Sequence, residues 1–150
     1  MFLVKDSSAA REERIRAFLA DDPALAALLA VVHVEWTLRR AIIGLSRAPN
    51  VEVRARLALC HGHAQYRDAW RDEVLPRTGR RLTEVVTNWS GLVRAFRLRH
   101  LLVHGVRPVG AAHAAQRTAW ALAAAADVRA FCARHTVDLD ARLPVRRRRP

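Results

Sequence analysis

A chain of 150 residues, 51% hydrophobic but only 6% aromatic, is long enough for one core packed by aliphatic side chains and too short for two domains of ordinary size. Its 26 basic residues, all arginine except Lys5, outweigh 14 acidic ones and give a net charge of +12; this favours phosphate-bearing partners, although a GC-rich coding sequence also enriches alanine and arginine whatever their role. Two cysteines, Cys60 and Cys132, exclude a disulfide framework, and the longest apolar run stops at His33 and Glu35, far short of a membrane span.

Met1-Phe2-Leu3-Val4 meets Lys5 and Asp6 before an apolar stretch of signal-peptide length develops, so the expected location is the cytoplasm, with no membrane partner. Ser7 and Ser8 offer caps for a first helix whose opening turn carries Glu12 and Glu13, the charge sign a helix N-terminus prefers, with Ile15, Phe18 and Leu19 on one face. Asp22-Pro23 pairs a capping side chain with proline at the first helical position and predicts a second helix. Leu25, Leu28, Leu29, Val32, Trp36 and Ile43 recur at helical spacing until Gly44 and Pro49 end it. Asn50 is the predicted cap of a third helix that Pro76 closes, with Val53, Leu57 and Cys60 on one stripe and Leu59, Tyr66, Trp70 and Val74 on another. Thr83, followed by Glu84, is the predicted cap of a fourth helix with Val85, Trp89, Leu92, Phe96 and Val103 as its buried stripe, stopped by Gly105 and Pro108. An alanine-rich fifth helix spans about residues 111–135, with Trp120, Leu122, Val128 and Phe131 facing inward. Alternating strand patterns and internal repeats are absent, so the expected fold is all-α, an antiparallel bundle of four to five helices over residues 1–143, followed by a basic tail at 144–150 whose run Arg146 to Arg149 reads as solvated.

The chemistry concentrates in Arg99-His100-Leu101-Leu102-Val103-His104-Gly105. Arginine clamps a phosphate through parallel hydrogen bonds, and histidine moves protons near neutral pH. Arg99 falls on the angle of the apolar stripe, where a guanidinium is costly unless it is paired or faces a wet cleft or a second subunit. Read as structure alone, Arg99 would pair with Glu35 or Asp72 and the histidines would close the helix end. Glu35, which interrupts the apolar face of the second helix, would orient Arg99 or His104 or else pair with Arg39 four residues on. Cys60, His61 and His63, with Cys132 and His135, match no standard zinc spacing, and no metal site is assigned to them. Glycine-rich phosphate loops, nucleophile elbows and paired carboxylates are likewise missing.

Arg99, four residues and His104, with His100 directly after the arginine and Gly105 after the histidine, resembles the HEPN superfamily, the higher eukaryotes and prokaryotes nucleotide-binding domains. Their signature is an arginine, four to six residues and a histidine near the end of a late helix, often with a polar residue after the arginine. Arg97 to His104 also satisfies that spacing, and Arg97, His100 and His104 share a helical face, so Arg97 is the second candidate for the motif arginine. The resemblance implies a metal-independent endoribonuclease without cofactor, acting on RNA as a homodimer with two motifs at a twofold interface, often as a toxin held by an antitoxin or as a phage-defence effector. It further implies His104 as general base or acid, Arg99 as the phosphate clamp, and His100 orienting the pair or touching RNA. The alternative from the residues is a noncatalytic helical module that binds RNA or a protein partner.

Overall fold

The computed structural model describes residues 6–105 and 108–147, and among these the chain is all-helical, with eight helices and no strand. In chain order they are α1 (Ser8–Asp21), α2 (Pro23–Leu45), α3 (Asn50–Leu57), α4 (His63–Glu73), α5 (Leu75–Thr78), α6 (Leu82–Val85), α7 (Trp89–Val103) and α8 (Ala111–Arg134). The α1 and α2 starts follow the sequence signals. Ser7 Oγ accepts from the Ala10 amide at 3.2 Å, and Asp22 Oδ1 accepts from the Leu25 amide at 3.0 Å.

Eight helices replace the expected four to five because two long periodic stretches are broken. After Leu57 the last turn tightens through Leu59 N–H to Arg56 O and Cys60 N–H to Leu57 O. The Cys60 carbonyl, released from the helix, accepts from Arg39 Nη2 at 3.0 Å. Pro76 lacks the N–H that would continue α4, and the short α5 ends at Gly79, whose φ of +69° is the left-handed turn glycine tolerates. The fourth stretch splits in the same way. The Arg81 amide donates to Glu84 Oε2 at 2.7 Å and opens α6, so Thr83 lies inside a helix rather than at its cap. Val86 is extended, and Asn88 caps α7 by accepting from the Gly91 amide at 2.9 Å. A Cβ on Gly91 would collide with that Asn88 side chain.

The chain divides into two compact units, one formed by Met1–Glu35 and Asn88–Ala125, the other by Trp36–Thr87 and Ala126–Pro150. The first unit holds α1, residues 23–35 of α2, α7 and residues 111–125 of α8. Its core is built of small side chains: Ala27, Leu98 and Ala114 pack together with Leu102 and Val109 beside them, and Ile15, Ala26, Ala30, Val34, Leu92, Phe96 and Ala121 are buried. Of the residues recurring at helical spacing on α2, Val32 is 39% exposed, whereas Ala26, Ala27, Ala30, Val31 and Val34 are covered. Residues 23–32 are apolar all round, so the periodicity of large residues does not select the side that packs. Val103, expected inside, is 54% exposed, and Ala95 and Leu98 take its place.

A polar cluster also lies inside this unit. His33 has no exposed surface; its Nδ1 accepts from Arg11 Nε at 3.4 Å and its Nε2 lies 3.3 Å from Glu12 Oε1. Arg11 also donates to Ser8 Oγ and the Asp6 carbonyl. The cluster ties α1 to α2 through side chains that carry almost no exposure.

In the second unit, α4 packs on α3, α5 and α6. Tyr66 and Trp70 are fully buried, each contributing about 2–3 kcal/mol of burial. Trp70 stacks obliquely on Phe131 at 5.7 Å and donates from Nε1 to the Arg80 carbonyl. Asn50 is the first residue of α3 rather than its cap; its side-chain amide donates to the Pro144 carbonyl and its Oδ1 accepts from the Arg146 amide. Arg146 donates in turn to the Ala48 and Ile43 carbonyls, so the basic run begins docked rather than solvated. Arg148 and Arg149 lie outside the described residues, as do Met1 to Lys5.

Candidate functional site

The motif residues all belong to the first unit, on the C-terminal half of α7 and at the end of residues 23–35 of α2. Helix α7 stops as its motif predicts. His104 is the C-cap, with its N–H on the His100 carbonyl at 3.1 Å, and Gly105 follows in the left-handed region at φ +61°. This termination brings the His100 and His104 rings together, with centroids 4.3 Å apart and planes inclined at 55°. Both residues are exposed, and so is Arg97. At about 100° per residue, Arg97 and His104 differ by only about 20° around the helix, whereas Arg99 and His104 differ by about 140°.

Arg99 points into a different environment. Its side chain is 30% exposed, and its Nη2 lies 3.9 Å from Oε2 of Glu35, itself 15% exposed. That separation makes an ion pair rather than a hydrogen bond. The Arg99 Nε is buried without a hydrogen-bond partner. The guanidinium at this position is therefore held by Glu35 but not saturated, with its Nε buried and unmet and its side chain 30% exposed. The structural pairing of Arg99 with Glu35 foreseen from the sequence is present. Asp72 instead engages Arg56 and Arg71, and Arg39 turns to the Tyr66 hydroxyl at 2.7 Å and the Cys60 carbonyl.

Chemically, the end of α7 offers two imidazoles in tilted contact, one guanidinium at Arg97 without a partner among the described residues, and one carboxylate-anchored guanidinium at Arg99. The structure joins Glu35 with Arg99 and His100 with His104 as two contacting pairs.

Two features of this unit were invisible to motif reading. One is the buried Arg11, Glu12 and His33 cluster. The other is a surface cluster around Trp120, where the Arg117 guanidinium sits 4.5 Å and the Arg94 guanidinium 5.9 Å from the indole centroid. The second had a faint signal, an arginine and a tryptophan three residues apart on one helix, but its third member comes from α7.

The cysteine and histidine residues of the second unit do not converge: among the described residues no group of three or more His, Cys, Asp or Glu side chains is placed to hold a metal. Burial raises the thiol pKa at both cysteines, to about 12 at Cys132. No described helix is long and apolar enough to cross a membrane. Comparison with protein-family models, curated proteins and solved structures gives no match to this chain.

Proposed function

We propose that the chain is a metal-independent endoribonuclease of the HEPN type, with the end of α7 as its active site. The observation that carries this reading is the pair of exposed imidazoles of His100 and His104, in tilted contact at 4.3 Å, closing a helix that also bears a carboxylate-anchored Arg99. The RNA 2'-hydroxyl attacks the adjacent phosphorus, forming a cyclic phosphate and expelling the 5'-oxygen of the next nucleotide. His104 takes the hydroxyl proton or protonates the leaving oxygen, and His100 orients it. Arg99 binds the phosphate and stabilises the charge that builds on its oxygens, with Arg97 as a second guanidinium on the histidine face. DNA lacks the attacking hydroxyl and is left intact.

A second copy of the chain is the partner this reading carries, the arrangement in which such motifs face each other. A cytoplasmic toxin or phage-defence effector, restrained by an antitoxin protein, is the biology this reading carries. The Glu35–Arg99 ion pair also favours a second reading, a noncatalytic module that binds RNA or a protein and keeps Arg99 for structure.

Incubation of the purified chain with labelled RNA separates the two. The nuclease reading expects cleavage that survives EDTA, leaves cyclic phosphate ends, and disappears in His104→Ala while the circular dichroism of the helices persists. Intact RNA with the wild-type chain overturns the reading, and undiminished cleavage by His104→Ala removes that imidazole from the chemistry. Comparing Arg97→Gln with Arg99→Gln identifies the arginine whose loss lowers kcat.

A further inference from the structure

Residues 88–125 carry five arginines and three histidines and not one aspartate or glutamate. Within that segment Trp120 on α8 receives two guanidinium groups, Arg117 at 4.5 Å and Arg94 from α7 at 5.9 Å. Two like charges are thereby held around one ring, and among the described residues no carboxylate pairs with either. The Arg117 Nε is buried without a hydrogen-bond partner. Burial holds the Arg117 pKa below the usual arginine value, and the neighbouring Arg94 charge depresses it further. Arg117 Nη1 donates to the Gln116 side-chain oxygen, which leaves Arg117 Nη2 and the Arg94 guanidinium without a hydrogen-bond partner among the described residues, so the pair presents two cationic groups with no anion between them.

The position of this clamp relative to the histidines is fixed by one helix. Arg94, Arg97, His100 and His104 fall within a sector of about 120° on α7, and Arg94 lies about 15 Å along the axis from His104. That span matches about four nucleotides of a stacked strand at about 3.4 Å each.

We propose that Arg94 and Arg117, backed by Trp120, form a phosphate clamp for single-stranded RNA, gripping the backbone several nucleotides from the bond presented to His104. This assignment rests on the RNA reading of the α7 motif. It adds a binding subsite outside that motif and makes Arg97 the step between clamp and histidines. An acidic peptide would find the charge it needs here, but the exposed basic stripe continuing along α7 suits a polyanion with regularly spaced phosphates.

The test measures binding of a short 2'-O-methyl oligoribonucleotide, which lacks the attacking hydroxyl and is not cut, to the full chain over a salt series. Arg94→Gln/Arg117→Gln is expected to weaken binding by roughly tenfold per arginine. It should also reduce the slope of log affinity against log salt by about 1.4, the release expected for two phosphate contacts on a single strand. Arg67→Gln/Arg71→Gln removes the same charge from the second unit and should weaken binding less than about threefold. Because Arg117 is partly buried, Arg94→Gln alone, at an exposed position, is measured as well and should still cost about tenfold. Equal losses in the two double variants, unchanged binding by Arg94→Gln, or displacement of the oligonucleotide by polyglutamate as readily as by RNA each overturn the clamp. A chain that fails to cut RNA yet shows the expected losses sinks the nuclease reading and leaves the clamp standing; a chain that cuts RNA while Arg94→Gln/Arg117→Gln binds like wild type does the reverse.

Discussion

Glu35→Gln tests whether the carboxylate on α2 acts through Arg99. Opposite unit charges 3.9 Å apart attract by about 4 kcal/mol at an effective dielectric of about 20. Both side chains are partly exposed, at 30% and 15%, so lost hydration returns most of that gain and about 1 kcal/mol of net coupling remains. Urea unfolding of Glu35→Gln, Arg99→Gln and the double variant should therefore show each single change costing about 1 kcal/mol and the pair costing about the same, not twice as much. If Glu35 positions the catalytic guanidinium, Glu35→Gln also lowers kcat/KM for RNA about fivefold, the factor that about 1 kcal/mol buys, with the loss in kcat. In the Arg99→Gln background the same change should then do nothing further. Additive unfolding energies, or an equal loss of cleavage in both backgrounds, would show that Glu35 does not work through Arg99.

The buried cluster on α1 and α2 gives a larger effect: His33→Leu keeps the volume but removes the acceptor of Arg11 Nε and the imidazole facing Glu12 Oε1, and should cost about 3 kcal/mol in urea unfolding, against a negligible change for the exposed Glu13→Gln; a cost below about 1 kcal/mol would refute the role given to the imidazole. Both thiols should resist iodoacetamide at pH 8 in the native protein and react fully in guanidinium. The Cys132 thiol, pushed up to about 12, keeps its proton in the folded state while the unfolded thiol loses it above about 8.5; stability should therefore fall as pH rises from about 8.5 towards 12, and a Cys132→Ala variant should lose that part of the alkaline slope. Truncation after Val145 removes the Arg146 bonds to Asn50, Ala48 and Ile43 and should destabilise the chain by about 2 kcal/mol, seen as a lower Tm; an unchanged Tm would restore the tail to solvent.

Helix content and the ends of α1, α2 and α7 were legible because they depend on local chemistry: a serine or aspartate oxygen reaching an amide three residues on, a proline at a first turn, a glycine entering the left-handed region after His104. The breaks within the third and fourth stretches were not, since they depend on distant partners. The Cys60 carbonyl leaves its helix and accepts from Arg39, twenty-one residues away in sequence, and the cap of α7 is an asparagine whose signal Thr83 and Glu84 overshadowed. Which side of residues 23–32 packs is not legible because all of them are apolar; the choice comes from Leu98 of α7 and Ala114 of α8, against which Ala27 packs. At the motif, helical angles alone place Arg97, His100 and His104 on one face and Arg99 away from it, and the structure brings the His100 and His104 rings into contact. That contact follows from where the helix stops, which Gly105 signals.

Under the proposed nuclease reading, the two arginines of the motif region would divide the demands of phosphate chemistry between them. A guanidinium that must stabilise charge in a transition state gains from being fixed beforehand, because reorganisation then costs nothing during the reaction. Arg99 has that fixation from Glu35, with an Nε still lacking an acceptor. A guanidinium that must capture a mobile strand gains from reach and exposure, which Arg97 has on the histidine face. On a single straight helix Arg99 and His104 stand about 140° apart, so one phosphate cannot lie over both without approaching the helix end, where His104 has already left helical geometry. A second copy of the chain meeting the exposed Val103 would relieve this separation by offering its own His104 to the phosphate held by Arg99. Light scattering is therefore decisive for the paired arrangement: Val103→Glu should yield a monomer that loses cleavage together with self-association, and a cleaving monomer would place the whole reaction on one helix end.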